Sequence, residues 1–139
     1  MIADEVVATA RGWLGTPYRH RAARRGLGCD CIGLVRGIWR ELYGSEPEPL
    51  PPYRADWRDR THAAALLALA ERRLLPAGIG PGAVLLFRIG PGGLPRHCGI
   101  ALPEDRFIHA QEGLGVVDGN LTDGWRRRVT AAFGFPERG

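Results

Sequence analysis

The sequence predicts an α+β domain, with amino-terminal helices packed on an antiparallel β-sheet. Three observations predict it. Up to about residue 75 the apolar residues recur with helical spacing. After Pro76, short β-branched and aromatic runs alternate with Gly and Pro, as strands joined by turns do. Helices followed by strands is the order of an α+β fold. The 139 residues, 45% hydrophobic and 24% charged, suit one ordinary globular domain spanning 1–139 with a substantial core. There is no internal repeat or low-complexity tract.

The first helix is expected over residues 3–14, with Val6, Val7, Ala10 and Leu14 on its inner face. Gly15-Thr16-Pro17 breaks it, and the Arg- and Gly-rich residues 19–28 read as a loop. A second helix runs from Asp30 to about Tyr43. Ile32, Val35, Trp39 and Leu42 form its stripe, and Leu34 and Ile38 widen it. Asp30 suits its N-cap and Gly44 its C′ position. Residues 45–55, with four prolines, read as an extended surface crossing, and Asp59 to Leu75 as a packing helix. Strands are expected at Ala83–Ile89, His97–Leu102, Arg106–Ala110, Gly115–Asp118 and Val129–Phe135.

The net charge is +4 and all 19 basic residues are arginine. That balance suits an anionic envelope polymer or nucleic acid. No stretch interleaves aromatics with arginines as a base-stacking surface does, so no nucleic-acid partner is expected. Met1 to Val6 carries neither a charged region nor an apolar core of a secretory signal, and no apolar run is long enough to span a bilayer. The expectation is therefore a chain made in the cytoplasm without a signal peptide and without membrane insertion. Its three cysteines are then reduced thiols rather than a disulfide framework.

Cys31 falls at the first position of the second helix, where unpaired backbone N–H groups favour a thiolate and can bind an oxyanion. On position alone a small buried hydrophobe fits it equally well. Gly33 and Gly37, poor helix formers, would let a strand or a substrate approach that helix closely. His97 opens one strand and His109 lies within another, twelve residues on, which suits a hairpin with both imidazoles on one side. Together they supply a nucleophile, a base and a group that fixes the base's tautomer. Cys29, Cys31, Cys98, His97 and His109 could instead bind a metal. Against that, Cys29-x-Cys31 is tighter than a zinc knuckle and no second knuckle follows, so no metal or cofactor is expected. Cys98 alternates with His97, points to the opposite face, and reads as packing.

Three segments resemble the NlpC-type family of papain-like cell-wall cysteine peptidases. They are Trp13-Leu14-Gly15-Thr16-Pro17-Tyr18, Asp30-Cys31-Ile32-Gly33-Leu34-Val35, and Pro81 to Phe87 followed by His97-Cys98-Gly99-Ile100 and Phe107-Ile108-His109-Ala110. The Cys29-Asp30-Cys31 form and the ending near Trp125-Arg126-Arg127-Arg128 look like the phage-type, tail-associated members. The resemblance implies that Cys31 is the nucleophile, His97 the general base and His109 the third polar group. It further implies that Tyr18 supports the oxyanion site beside the Asp30 cap, that the substrates are peptidoglycan stem peptides, and that the partners are proteins of a phage tail or tail-like particle acting on the cell wall. A structural tail component of the same fold with little activity is the alternative.

Two departures bear on substrate preference. Ile32 stands where the family usually has serine, and the Arg19 to Gly26 loop replaces a glycine pair. That loop reads either as a solvated surface or as a reader of acidic stem peptides. Gln111, on the face of His109, is a candidate substrate contact. Glu46, Glu48, Asp56 and Asp59 form no paired-carboxylate site. The four tryptophans read as core or half-buried residues, and Arg126 to Arg128 as a solvated face.

Overall fold

The computed structural model describes residues 1–48, 50, 52–54 and 60–138. Helix α1 (Ile2–Arg11) buries Ile2, Val6, Val7 and Ala10. It ends three residues before Leu14, which is 42% exposed, and the fully buried Trp13 takes the core position expected of Leu14. The loop expected over residues 19–28 holds a minimal hairpin, β1 (Ala23–Arg24) paired antiparallel with β2 (Gly28–Cys29). Helix α2 (Cys31–Tyr43) starts on Asp30 and stops at the left-handed Gly44, as its capping residues dictate. Trp39 is only half-buried on it, packed against Tyr43 and Phe135.

Helix α3 (Arg60–Arg73) follows, and the expected start at Asp59 lies outside the described residues, as do Asp56, Trp57 and part of the proline-rich crossing. Leu75, expected to close α3, instead belongs with Pro76 to a short strand, β3 (Leu75–Pro76). The remaining strands are β4 (Val84–Arg88), β5 (Pro95–Leu102), β6 (Arg106–Gln111), β7 (Gly115–Asn120) and β8 (Val129–Gly134). A short helix, α4 (Asp123–Arg128), precedes β8.

The six strands form one antiparallel sheet in the order β3-β8-β4-β5-β6-β7. Both faces are covered, which is why β4 reads as a continuous apolar run. Val84 and Leu86 join Cys98, Ile100 and Ile108 in the main core under α1, α2 and α3. Leu85 and Phe87 join Ala101, Phe107 and Leu121 in a smaller core covered by Trp125 of α4.

The two helical glycines have one structural purpose each. A Cβ on Gly33 would lie 1.8 Å from the Ala22 carbonyl oxygen, and one on Gly37 would lie 2.1 Å from the Trp13 ring. What approaches α2 closely is therefore the arginine-rich loop and Trp13, rather than the strand or substrate expected from the sequence.

Candidate active site

The site is built where the start of α2 meets the β5–β6 hairpin. Asp30, fully buried, caps α2 by accepting from the Gly33 amide at 2.7 Å. Its other oxygen accepts from the Arg21 amide and the Tyr53 hydroxyl, each at 2.7 Å. All three donors favour the carboxylate, although burial first, and then the charge of Cys31, raise the Asp30 pKa above its ordinary value. Asp30 thus ties the arginine-rich loop and Tyr53 to the helix start and fixes the position of Cys31.

Cys31 is 3% exposed, and its sulfur borders a groove of about 440 Å³ that is also lined by Tyr18, His62, His97, His109, Gln111 and Trp125, among others. In the register that pairs Ile100 with Ile108, His109 comes level with Gly99 and diagonal to His97. His97 Nε2 and His109 Nδ1 are 2.8 Å apart. A Cβ on Gly99 would stand 2.8 Å from the Ile108 carbonyl oxygen and 3.2 Å from His109 Cβ, so the glycine leaves the room in which the two imidazoles meet. Trp125 stands edge-on to His109 at 5.5 Å and tilted over His97 at 6.0 Å, forming an apolar wall.

Cys98 packs in the main core, as expected. It lies on the helix side of the sheet, as alternation requires, and its thiol donates to the Cys31 carbonyl at 3.2 Å. Of these two buried thiols it is Cys31 whose pKa is lowered. The hydrogen-bonding Cys98 thiol lowers the Cys31 pKa most, burial opposes it, and His62 and His97 lower it further. Cys98 moves the other way, held protonated by Cys31 and by burial. Cys29 is buried beside Asp30 and pushed up to about 12, chiefly by burial, and is inert as a nucleophile.

The histidine pair is polarised. Burial, reinforced by the adjacent His97, lowers His109 to about 4, so it is neutral at neutral pH. When His97 carries a second proton opposite a Cys31 thiolate, its Nε2–H donates to His109 Nδ1, which puts the single His109 proton on Nε2. Tyr18 is pushed well above its ordinary pKa by burial and then by the charge of Cys31, so its hydroxyl is a donor rather than a phenolate. Its backbone bridges Cys29 in parallel register, which holds the ring at the groove.

His62 is the residue sequence reasoning missed. It belongs to α3, read as a packing helix, and its Nε2 lies 3.7 Å from Cys31 Sγ. No local pattern marks it, because α3 is an Ala- and Leu-rich segment and His62 reaches Cys31 only through the fold. Gln111 is exposed at the groove, with Glu112 beside it. The loop arginines Arg21 and Arg24 line a separate cleft with Arg36 and Arg40, and Arg25 pairs with Glu41 at 3.0 Å. None of these five guanidinium groups borders the catalytic groove.

The model of the NlpC/P60 family matches residues 15–133, and the chain belongs to that family. It is 28% identical over 121 residues to the murein DD-endopeptidase MepS/murein LD-carboxypeptidase of Escherichia coli, covering 86% of this chain and 56% of that protein. It is 30% identical over 111 residues to the probable endopeptidase NlpC of the same organism, covering 80% of this chain and 63% of that protein. The chain thus spans little more than half the length of these curated relatives. The crystal structure of the NlpC/p60 domain of the peptidoglycan hydrolase SagA superposes with a TM-score of 0.66 at 22% identity, over 97% of this chain and 100% of that one, a likeness of fold.

Proposed function

We propose that this NlpC/P60 domain is a cysteine peptidase that hydrolyses amide bonds in peptidoglycan stem peptides. The observation that carries the reading is a buried thiol at a helix start, sharing one groove with a hydrogen-bonded histidine pair. In the reactive form of the site the Cys31 thiol has passed its proton to His97, which His109 orients. The sulfur attacks the carbonyl carbon of the scissile amide. The oxyanion that forms is met by the first amides of α2 and the Tyr18 hydroxyl. His97 protonates the departing nitrogen as the C–N bond breaks, leaving a thioester on Cys31. His97 then takes a proton from water, which attacks the thioester and restores the thiolate.

The endopeptidase names of the curated relatives support a wall peptide as substrate. So does charge. Beyond Ile89 and Gly90 the groove continues into a cleft of about 490 Å³ lined by Arg88, Arg127 and Arg128, a place for the carboxylates of a stem peptide. The test is to incubate the pure protein with purified peptidoglycan and identify released peptides by mass spectrometry. Release that disappears in Cys31→Ala establishes the activity and names the bond. No release from several wall types removes this reading in favour of a structural component.

The Cys29-Asp30-Cys31 form and the Trp125 to Arg128 ending support a place in a phage tail or tail-like particle that breaches the wall. Among the described residues no helix is long and apolar enough to cross a membrane. Sedimentation of the protein with such a particle is the expected result. Export of the free protein by a particle-free host would contradict it.

A further inference from the structure

The Cys31 sulfur is approached by two imidazoles, and the mechanism above uses only one of them. His97 reaches it backed by His109. His62 reaches it from α3, with Nε2 at 3.7 Å, a separation at which an N–H can donate to sulfur. His62 is 7% exposed and lines the catalytic groove. Its ring stands edge-on to Tyr53 at 5.4 Å, and Tyr53 in turn donates to Asp30, so His62 is braced against the cap that positions the nucleophile. Among the described residues its second nitrogen, Nδ1, is buried without a partner. A histidine kept only for packing gains nothing from one nitrogen on a sulfur and the other desolvated and empty.

We propose that His62 is a further catalytic residue, whose Nε2–H holds the Cys31 sulfur as a thiolate at rest and receives it again as the leaving thiolate when the acyl-enzyme is hydrolysed. The proposal rests on Cys31 being the nucleophile. Its proton bookkeeping is simple. His62 keeps its proton on Nε2 throughout and passes none to the sulfur. During acylation the sulfur forms its bond to the carbonyl carbon, loses its charge, and the Nε2–H loses its anionic acceptor. During deacylation water adds to the thioester with its proton passing to His97, the C–S bond breaks, and the electron pair returns to a sulfur that His62 is placed to receive.

The groups that act on this pair come from every neighbouring element. Asp30 caps α2, Tyr18 and Cys29 lie before it, and Tyr53 packs on the His62 ring. Arg96, His97 and Cys98 belong to β5, and His109 to β6. Burial works against a charge on His62, whereas Cys31 and Asp30 favour it, and the outcome is a His62 pKa above its ordinary value.

The test reads the thiol and requires no wall substrate, so it stands apart from the proposed peptidase activity. The rate of Cys31 alkylation by iodoacetamide is followed against pH, with the site assigned by peptide mass spectrometry, in wild type, His62→Phe and His62→Gln. His62→Phe is expected to raise the alkylation midpoint by about one pH unit, whereas His62→Gln, which keeps an N–H donor, stays close to wild type. Equal midpoints in wild type and His62→Phe, or equal shifts in both variants, would overturn the proposal. Alkylation of the fully buried Cys29 and Cys98 reports any variant that fails to fold. In that event the wild-type protein decides alone. The His62 ring resonances are titrated by NMR before and after Cys31 is carbamidomethylated. A lower His62 midpoint after modification supports the contact with the thiolate, and an unchanged one overturns it.

Discussion

His109 is buried and neutral, and its role depends on staying so. Its pKa of about 4 lies below the ordinary histidine value of 6.5. Between those values the unfolded chain binds more protons than the folded one, so stability rises with pH. The stabilisation is fully present above about 6.5 and is lost as pH falls through about 4, on the order of 3 kcal/mol in all by the usual linkage relation. Urea denaturation should show this pH slope in wild type and a flatter one in His109→Gln. The same change weakens the orientation of His97, and kcat should fall on the order of 10²-fold with KM little altered, as steady-state kinetics on a wall peptide would measure. At this scale the sequence was partly legible. The helix-start position of Cys31 and the hairpin spacing of His97 and His109 were legible, and the structure brings the three to one groove. His62 was not, since nothing near it in the chain reports a sulfur 31 residues away, and alternation placed Cys98 on the packing face without reporting its contact with the Cys31 carbonyl.

At the scale of elements, α2 is set by its caps and by two glycines that admit neighbours. Gly37→Ala would press a methyl group into the Trp13 ring, which can shift, and should cost about 1–3 kcal/mol in urea denaturation. Gly33→Ala meets the Ala22 backbone carbonyl instead, in the loop whose Arg21 amide serves Asp30, and should cost more. A Gly33→Ala protein as stable as wild type would contradict this account of the helix start. Caps and periodicity made α2 legible almost to the residue, whereas α1 was read too long. The apolar spacing carries on into Leu14, but the chain leaves the helix at Gly12, and Trp13 turns inward to reach Gly37 and to donate to Glu41 at 2.9 Å. The β5, β6 and β7 strands were legible from the turns between them. The small hairpin of β1 and β2 was not, because two-residue strands leave no period to read.

Across the whole molecule the sheet separates two cores, and the candidate site lies where Cys31 of one meets the histidines packed on Phe87 and Phe107 of the other. Trp125 packs on Phe87 and Phe107 of the smaller core while walling the histidine pair. Trp125→Ala should therefore lower stability by about 2 kcal/mol and also raise the His109 midpoint through lost burial, a combination that urea denaturation and NMR titration together would detect. The arginine cleft that continues the groove predicts a different effect. Arg88→Gln combined with Arg127→Gln should raise KM for an acidic wall peptide by about tenfold and leave kcat unchanged. Composition and order revealed the class of fold, but not the pairing of β4 with β8, since contacts between residues 84–87 and 129–133 leave no trace in any local pattern. In the proposed mechanism Cys31 is the nucleophile of a wall peptidase. The most direct measurement follows peptide release while the protein is alkylated stepwise and each cysteine is quantified by mass spectrometry. Activity should fall in proportion to modification of Cys31 with Cys29 and Cys98 untouched. Peptide release that persists when Cys31 is fully modified would contradict it.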